Sequence, residues 1–543
     1  MTGRVVRATA QGLILGLALA WGASSPVQAQ TRDAAAEARI QADVAFLADD
    51  ALEGRGNGQR GYDLAALYVQ SRMQAIGLKP GGVDGTWRQP FAVARIGVAD
   101  DGATLTLRRP GGQTLVWSNG ENALLGVGRR AGHETATMQL AFVGFGAAED
   151  YADLDVAGKA VVVLSGAPRG MAPDAAARLE ADKTAVAEAR GAIAVITVNT
   201  EASARRFTDA LMKRMAGRTE SAWVGADGLT RRANPGVAFT AFLGDAAAEA
   251  LFQGADRSYA EIRRAAAAED GRPSGFILSG EAIFDVHTRR DDLAVSNVIG
   301  RIEGTDPDLK AEHVVITAHL DHLGMTGSGE DRINNGALDN AGGVAAMLEA
   351  ARALAASPPR RSVLVVALAA EEVGLIGSDY LARHPVVDDV AANVNLDMPV
   401  LTYGFSDVVA FGAEHSTMGP RVDAAARAQG VKLSPDPMPE QNVFTRSDHY
   451  SFVRAGVPSV MLATGYADGG EAAWGAFFAE KYHKHGDEIG ANFDWDAAAR
   501  FARINAAVIR EVADADQRPL WYEGNTYGDR FAAGQPRAPA PTH

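Results

Sequence analysis

Apolar residues recur every three or four positions along Ala35–Leu47 and Tyr62–Ile76, which predicts two amphipathic helices early in the chain, with Gly77 placed to end the second. Between them Leu52-Glu53-Gly54-Arg55-Gly56 breaks the period and reads as a loop. Residues 103–142 alternate apolar and polar around Pro110-Gly111-Gly112, the pattern of half-buried hairpins. From 140 to 265, short apolar runs (Ala141–Val143, Ala160–Leu164, Ala192–Thr197, Gly236–Ala241) alternate with alanine-rich stretches such as Pro173–Ala189, which predicts a compact α+β insert. From 292 onward the texture becomes regular. Val314–Ala318, Val363–Ala369, Val394–Leu396 and Val457–Leu462 are apolar runs separated by helical segments such as Gly342–Leu354. That alternation predicts an α/β domain, its sheet mostly parallel and covered by helices on both faces. The stretch after Tyr522, rich in Gly, Pro and Ala, is expected to be a loose tail.

The very start has a different pattern. Arg4 and Arg7 precede an apolar stretch, Gly12 to Trp21, and small residues end at Val27-Gln28-Ala29. This describes a secretory signal peptide, too short to span a bilayer, with cleavage expected near Ala29–Gln30. A secreted or periplasmic protein is expected, with no membrane insertion after cleavage. The chain then divides into a signal peptide at 1–29, an N-terminal part of the main domain at 30–139, the insert at 140–265, the main domain proper at 266–520 and a tail at 521–543.

Composition narrows the chemistry. The 543 residues carry a net charge of −15, which argues against a nucleic-acid partner. There is no cysteine, so disulfides, thiolate metal sites and cysteine nucleophiles are excluded, and any metal must be held by His, Asp and Glu. Such residues stand where the predicted strands end. The first run leads into His319-Leu320-Asp321-His322, the second into Glu371-Glu372, the third into Asp397, and the fourth toward Tyr482-His483-Lys484-His485-Gly486-Asp487. Asp339 lies at the mouth of the helix that begins near Gly342. In an open α/β sheet, ligands bind outside the carboxyl ends of the strands. Several carboxylates and histidines converging there point to a metal site, because unpaired carboxylates are costly to bury. Adjacent residues in a strand face opposite ways, so one of Glu371 and Glu372 is expected to ligate and the other to act as a base. Zinc suits a sulfur-free His and carboxylate set that performs hydrolysis.

His133-Glu134 begins like a zincin motif, but Thr137 occupies the place of its second histidine. No G-x-S-x-G elbow and no P-loop lysine are found.

In their order and spacing, Ala318-His319-Leu320-Asp321-His322, Gly336-Ala337-Leu338-Asp339-Asn340-Ala341-Gly342-Gly343, Glu371-Glu372-Val373-Gly374-Leu375-Ile376-Gly377-Ser378, Asn395-Leu396-Asp397-Met398 and Tyr482-His483 resemble the co-catalytic zinc peptidases that include secreted bacterial aminopeptidases and glutamate carboxypeptidase. The match covers about 290–515, and Leu52-Glu53-Gly54-Arg55 resembles that family's N-terminal segment. The insert, with Phe142-Val143-Gly144-Phe145-Gly146 and Asp153-Leu154-Asp155-Val156-Ala157-Gly158-Lys159, resembles a protease-associated domain. The resemblance implies a zinc-exopeptidase-like fold, two Zn2+ per chain and peptide substrates. It makes Asp339 the bridging ligand, with His319 and Asp397 on one metal and Glu372 and His483 on the other. Glu371 becomes the general base, Asp321 the partner of the second nitrogen of His319, and Tyr482 the oxyanion donor. His485 is a rival to His483, because Lys484-His485 stands where the family commonly has Thr-Pro. His322 is expected in a supporting place, and His449 and Arg446 on the substrate side. An aminopeptidase is the leading expectation. A carboxypeptidase or dipeptidase would need arginine near the metals, for which Arg446 is the candidate, and a non-catalytic receptor-like protein would be expected to have lost ligands.

Overall fold

The computed structural model describes Met1, residues 32–171 and residues 173–541. The expected signal peptide lies outside the described residues except for Met1. No helix among the described residues is long and apolar enough to cross a membrane.

The two early helices are α1 (Ala34–Leu47) and α2 (Arg60–Ile76). The Asp33 side chain caps α1 by accepting from the Ala36 amide at 2.9 Å. Gly77 closes α2 at φ 94°, and its N–H reaches the Gln74 carbonyl at 3.0 Å. A 21-residue strand, β1 (Arg88–Arg108), turns through residues 109–113 into a short partner, Thr114–Ser118.

The insert contains β2 (Gly132–Phe142), β3 (Ala160–Leu164), α3 (Pro173–Ala189), β4 (Ala194–Val198), β5 (Glu220–Trp223) and β6 (Phe239–Leu243). The chain returns along β7 (Phe276–Ile302), a 27-residue strand that pairs with β2 at one end and runs beside β1 for most of its length. The insert's apolar core includes Ala103, Leu105 and Leu107 of β1 and Phe284 and Val286 of β7. It therefore draws on residues on both sides of the expected 140–265 bounds.

The main domain is built on β8 (His313–His319), α4 (Gly342–Ala356), β9 (Ser362–Leu368), α5 (Ile376–Arg383), β10 (Val390–Leu396), β11 (Asp407–Phe411), α6 (Met418–Ala428), β12 (Lys432–Ser434), α7 (His449–Arg454), β13 (Ser459–Thr464) and α8 (Trp495–Ala513). Its strand order is β12-β11-β13-β10-β8-β9-β7. The central pairs β13–β10, β10–β8 and β8–β9 are parallel, whereas β11 and β7 join antiparallel, so the sheet is mixed around a parallel middle. Helices α1, α4 and α8 pack on one face, and α5 with α7 covers Val315, Leu364 and Val366 on the other. β8, β9 and β13 are buried throughout, as unbroken apolar runs require.

The segment expected to be loose is ordered through residue 541, as far as it is described. Trp521 is 1% exposed and donates its indole N–H to the Gly456 carbonyl at 2.9 Å. α9 (Thr526–Phe531) follows, and Tyr527 packs its ring 5.0 Å from Phe444. Four aromatic residues, Trp521, Tyr522, Tyr527 and Phe531, give this glycine- and proline-rich stretch enough apolar surface to dock.

Candidate metal centre

Three parallel strands deliver their chemistry at one edge. His319 ends β8, Asp397 follows β10, and Glu371 and Glu372 follow β9. His319 Nε2 lies 2.9 Å from Asp397 Oδ1 and 3.2 Å from Asp339 Oδ1. The other oxygen of Asp339 faces His483 Nε2 at 3.5 Å, and that nitrogen is 3.1 Å from Glu372 Oε2. Asp339 thus divides its carboxylate between the two histidines. His322 Nδ1 meets the remaining oxygen of Glu372 at 2.5 Å, which places this histidine against a candidate ligand. His485 is turned aside toward the Thr326 hydroxyl at 3.3 Å.

The glutamate pair departs from the alternation expected of a strand. β9 stops at Leu368, and Ala370 adopts φ 59°, so the chain leaves the sheet before either glutamate. The Gly374 amide closes a tight turn onto the Glu371 carbonyl at 2.9 Å. One oxygen of each glutamate and one nitrogen of His319 then lie within 4.8 Å of one another, both carboxylates facing the same centre. Met398 at φ 44° and His483 at φ 56° are likewise left-handed beside candidate ligands. Such conformations cost about 1–2 kcal/mol each and collect where the surroundings impose them.

Asp321 also differs from expectation. The Nδ1 of His319 lies 3.1 Å from the main-chain oxygen of Asp321, not from its carboxylate. That carboxylate accepts from Asn57 Nδ2 at 2.7 Å and from the Glu371 and Glu372 amides at 3.1 and 3.3 Å. Asp321 therefore holds the turn that carries both glutamates. Asn57 completes the brace by accepting from the Ala370 amide at 3.0 Å. Nothing in the sequence singles out Asn57 beyond its place two residues after Arg55.

Arg55 is 1% exposed and donates to the carbonyls of Leu320 at 2.9 Å, Asn335 at 2.6 Å and Gly336 at 3.1 Å, as well as that of Leu47. It is a buried cation beneath a buried anionic cluster, and desolvation lowers its pKa to about 10. Asp487 supports the Asp339 loop by accepting from the Leu338 and Asp339 amides at 3.1 and 2.9 Å, and burial raises its pKa to about 6. Ser447 donates to Asp397 Oδ2 at 2.5 Å.

Burial drives the titration of the cluster. It raises the Glu371 carboxyl well above the usual carboxylate range, and Asp397, Asp448 and Glu372 add to the rise against the opposing His319. Burial also pushes Glu372 upward, but hydrogen bonds from His322 and His483 outweigh it and the carboxyl ends up lowered. Asp448, fully buried, is raised to about 7 by desolvation, against the opposing His319 and Ser378.

Tyr482 stacks on the His483 ring at 3.9 Å, and its hydroxyl lies 3.5 Å from Arg446 Nη2. His449 does not occupy the open substrate side. Its side chain is fully enclosed, and desolvation lowers its pKa to about 3 against an opposing contact with the Phe444 main chain. Its ring lies 5.2 Å from that of Phe444, beneath the site.

The donor set fits zinc-like cations. Asp321, Asp339 and Asp397 are 0%, 2% and 3% exposed, and no Lys or Arg among the described residues forms an ion pair with them or with Glu371 or Glu372. Imidazole and carboxylate ligands crowded together with no lysine or arginine ion-paired to them match the coordination chemistry of zinc.

A cluster of candidate metal ligands at the carboxyl edge of an α/β sheet, in a chain that also carries an inserted domain, defines the class. Residues 297–509 match the profile of Peptidase family M28 and residues 134–251 that of the PA domain, so the chain combines a family M28 segment with a PA-domain insert. Among curated proteins it is similar to a "Probable zinc metalloprotease" of Pyrenophora teres f. teres, 25% identical over 42% of this chain and 53% of that one. It is also similar to the "probable leucine aminopeptidase 2" of Aspergillus oryzae, 25% identical over 42% of this chain and 47% of that one. The chain spans about half the length of these curated relatives. Among solved structures it resembles the aminopeptidase from Aneurinibacillus sp. strain AM-1, with TM-score 0.48 and 19% identity over 89% of this chain and 95% of that one.

Proposed function

We propose that this protein is a secreted dinuclear zinc exopeptidase that removes N-terminal residues from peptides. The observation that carries the reading is the split carboxylate of Asp339, one oxygen toward His319 and the other toward His483, with Glu371 beside them. One zinc would be held by His319, Asp339 and Asp397, the other by Asp339, Glu372 and His483. When bound, the ions supply Lewis acidity toward the scissile carbonyl and make a water acidic at neutral pH.

The chain's own residues do the rest. The Glu371 carboxylate takes a proton from the attacking water and returns it to the leaving amine nitrogen, a role suited to a carboxyl whose burial raises its proton affinity. The Tyr482 hydroxyl donates a hydrogen bond to the developing oxyanion. Asp321 and Asn57 keep the Glu371 turn in place. Metal analysis together with Glu371→Gln tests the reading. The variant should retain zinc and lose at least about 100-fold in kcat, the scale of a general base. Full activity in the variant, or protein purified without zinc, would overturn it.

Arg446, exposed beside the Tyr482 hydroxyl, favours a second reading in which it anchors a terminal carboxylate and the enzyme is a carboxypeptidase or dipeptidase. Cleavage confined to free-amine substrates supports the aminopeptidase, and cleavage of N-blocked peptides the alternative. Secretion is read from Arg4, Arg7 and the apolar stretch after them, and an intact N-terminus on protein from the producing cell would refute it.

A further inference from the structure

A cavity of about 570 Å³ opens between the insert and the main domain, separate from the metal centre. Arg231 and Arg232 of the insert, Arg383 at the end of α5 and Arg454 at the end of α7 line it around one carboxylate, Asp379. Asp379 is fully engaged. It accepts from the Trp223 indole at 2.8 Å, from Arg454 at 2.9 Å and from Arg383 at 3.0 Å. Arg231 lies 5.6 Å over the Trp223 ring and pairs with Asp227 at 3.1 Å. Arg232 is bound only by main-chain oxygens, those of Val127 and of Gly128 at 3.1 Å, and no carboxylate among the described residues stands within ion-pair distance of it. The Nε of Arg454 is buried without a partner. Four guanidiniums therefore face two carboxylates, leaving excess positive charge and unused donors. Trp223 and Ile376 supply an apolar flank.

Strand register fixes where this cavity lies. Val298 of β7 pairs with Ala367 of β9, and the two strands are antiparallel. Leu293, five residues back along β7, therefore lies off the end of β9 toward which its chain runs, the end from which the Glu371–Glu372 turn departs. Leu293 pairs with Val93 of β1, and Val93 pairs with Trp223 of β5. Three strand spacings of about 4.8 Å put Trp223 roughly 14 Å to the side of the line of β9, at the end where the glutamate turn leaves it. An extended peptide covers that in about four residues, at about 3.3 Å each. The near wall of the cavity includes Gly374, whose amide is bonded to the Glu371 carbonyl.

We propose that this cleft binds a carboxylate of the peptide substrate, about three or four residues downstream of the amino end held at the metals. The inference rests on the aminopeptidase reading for the direction of the peptide. The carboxylate has two sources, the C-terminus of a short peptide or an acidic side chain within a longer one. The guanidiniums take it by charge-assisted hydrogen bonds, and the apolar flank takes the neighbouring side chain.

The zinc-loaded protein is assayed with Leu-Ala-Ala-Ala as free acid, the same peptide as C-terminal amide, and the amide with glutamate in fourth place. Free acid favoured over plain amide by about tenfold in KM, the weight of one charge-assisted hydrogen bond, identifies the terminal carboxylate. The same preference for the glutamate amide identifies the side chain. In the double variant Arg231→Ala/Arg383→Ala, two half-exposed positions, either preference should fall to within about twofold. Equal treatment of all three peptides, or a preference that survives in the variant, overturns the proposal. Calorimetric binding of the N-acetylated acid and amide gives a readout free of turnover. If leucine anilide is not cleaved, the aminopeptidase reading fails, and the cleft is still judged by whether the acid binds about tenfold tighter than the amide in the parent alone.

Discussion

Replacing Asn57 by alanine removes two contacts that meet at the catalytic turn. The amide donates to Asp321 Oδ2 at 2.7 Å and accepts from the Ala370 N–H at 3.0 Å. Its orientation follows from its neighbours, since a carboxylate can only accept and a main-chain N–H can only donate. The first contact involves a buried charge and is worth about 1.5–3 kcal/mol, the second about 1 kcal/mol. Asp321 would retain only the Glu371 and Glu372 amides, at 3.1 and 3.3 Å. The lost energy falls on the position of Glu371, so kcat should drop roughly 10- to 100-fold, the usual cost of removing a partner that orients active groups. KM should stay within about threefold, because both contacts of Asn57 are to the residues that hold the turn. Asn57→Asp should be worse than alanine, as it sets two carboxylates 2.7 Å apart. Steady-state kinetics with an aminoacyl anilide, together with zinc content, provides the assay. A kcat within twofold of the parent in Asn57→Ala would refute the brace.

His449 links acidity to stability. Its folded pKa of about 3 lies below the unfolded value near 6.5. The neutral ring therefore contributes fully above pH ~6.5, and the contribution is lost as pH falls toward ~3, up to roughly 4–5 kcal/mol at about 1.36 kcal/mol per unit. In His449→Leu, the drop in urea midpoint between pH 7 and 4.5 should be smaller than in the parent, and equal drops would refute the assignment. Trp521→Ala should cost about 3–5 kcal/mol of stability, whereas a truly loose tail would make it neutral in a melting experiment. At Gly54, φ is 71° and an added Cβ would lie 2.5 Å from the Asn334 carbonyl oxygen and 2.7 Å from that of Gly324, so Gly54→Ala should yield little folded protein, and a normal melt would contradict this.

The strands that carry the centre were readable because burial on both faces leaves unbroken apolar runs, as in Val314–Ala318 and Val363–Ala369, and charge at their ends then stands out. The 27-residue β7 was not, because its exposed half alternates through Thr288-Arg289-Arg290-Asp291-Asp292 and looks like a charged loop. The facing of the glutamates depended on the left-handed turn at Ala370, and alanine gives no local signal for φ 59°. Asp321 was recognised as a supporting residue, but which of its atoms does the supporting is decided by Asn57, 264 residues away. The insert's arginines acquire meaning only through strand register, which brings Trp223 beside α5.

The buried Arg55 also sets an order of events. Its guanidinium waits for the carbonyls of Leu320 and Gly336, 265 and 281 residues further along the chain, and Asn57 waits 313 residues for Ala370. During synthesis at about 5–20 residues per second, that is a delay of roughly 15–60 s. The insert lies wholly inside that interval and has its own core, so it can fold first. The metal centre closes only after the sheet has been completed on the far side of the insert. Until then the nascent chain holds its acids, its histidines and the buried Arg55 apart, and the site does not exist.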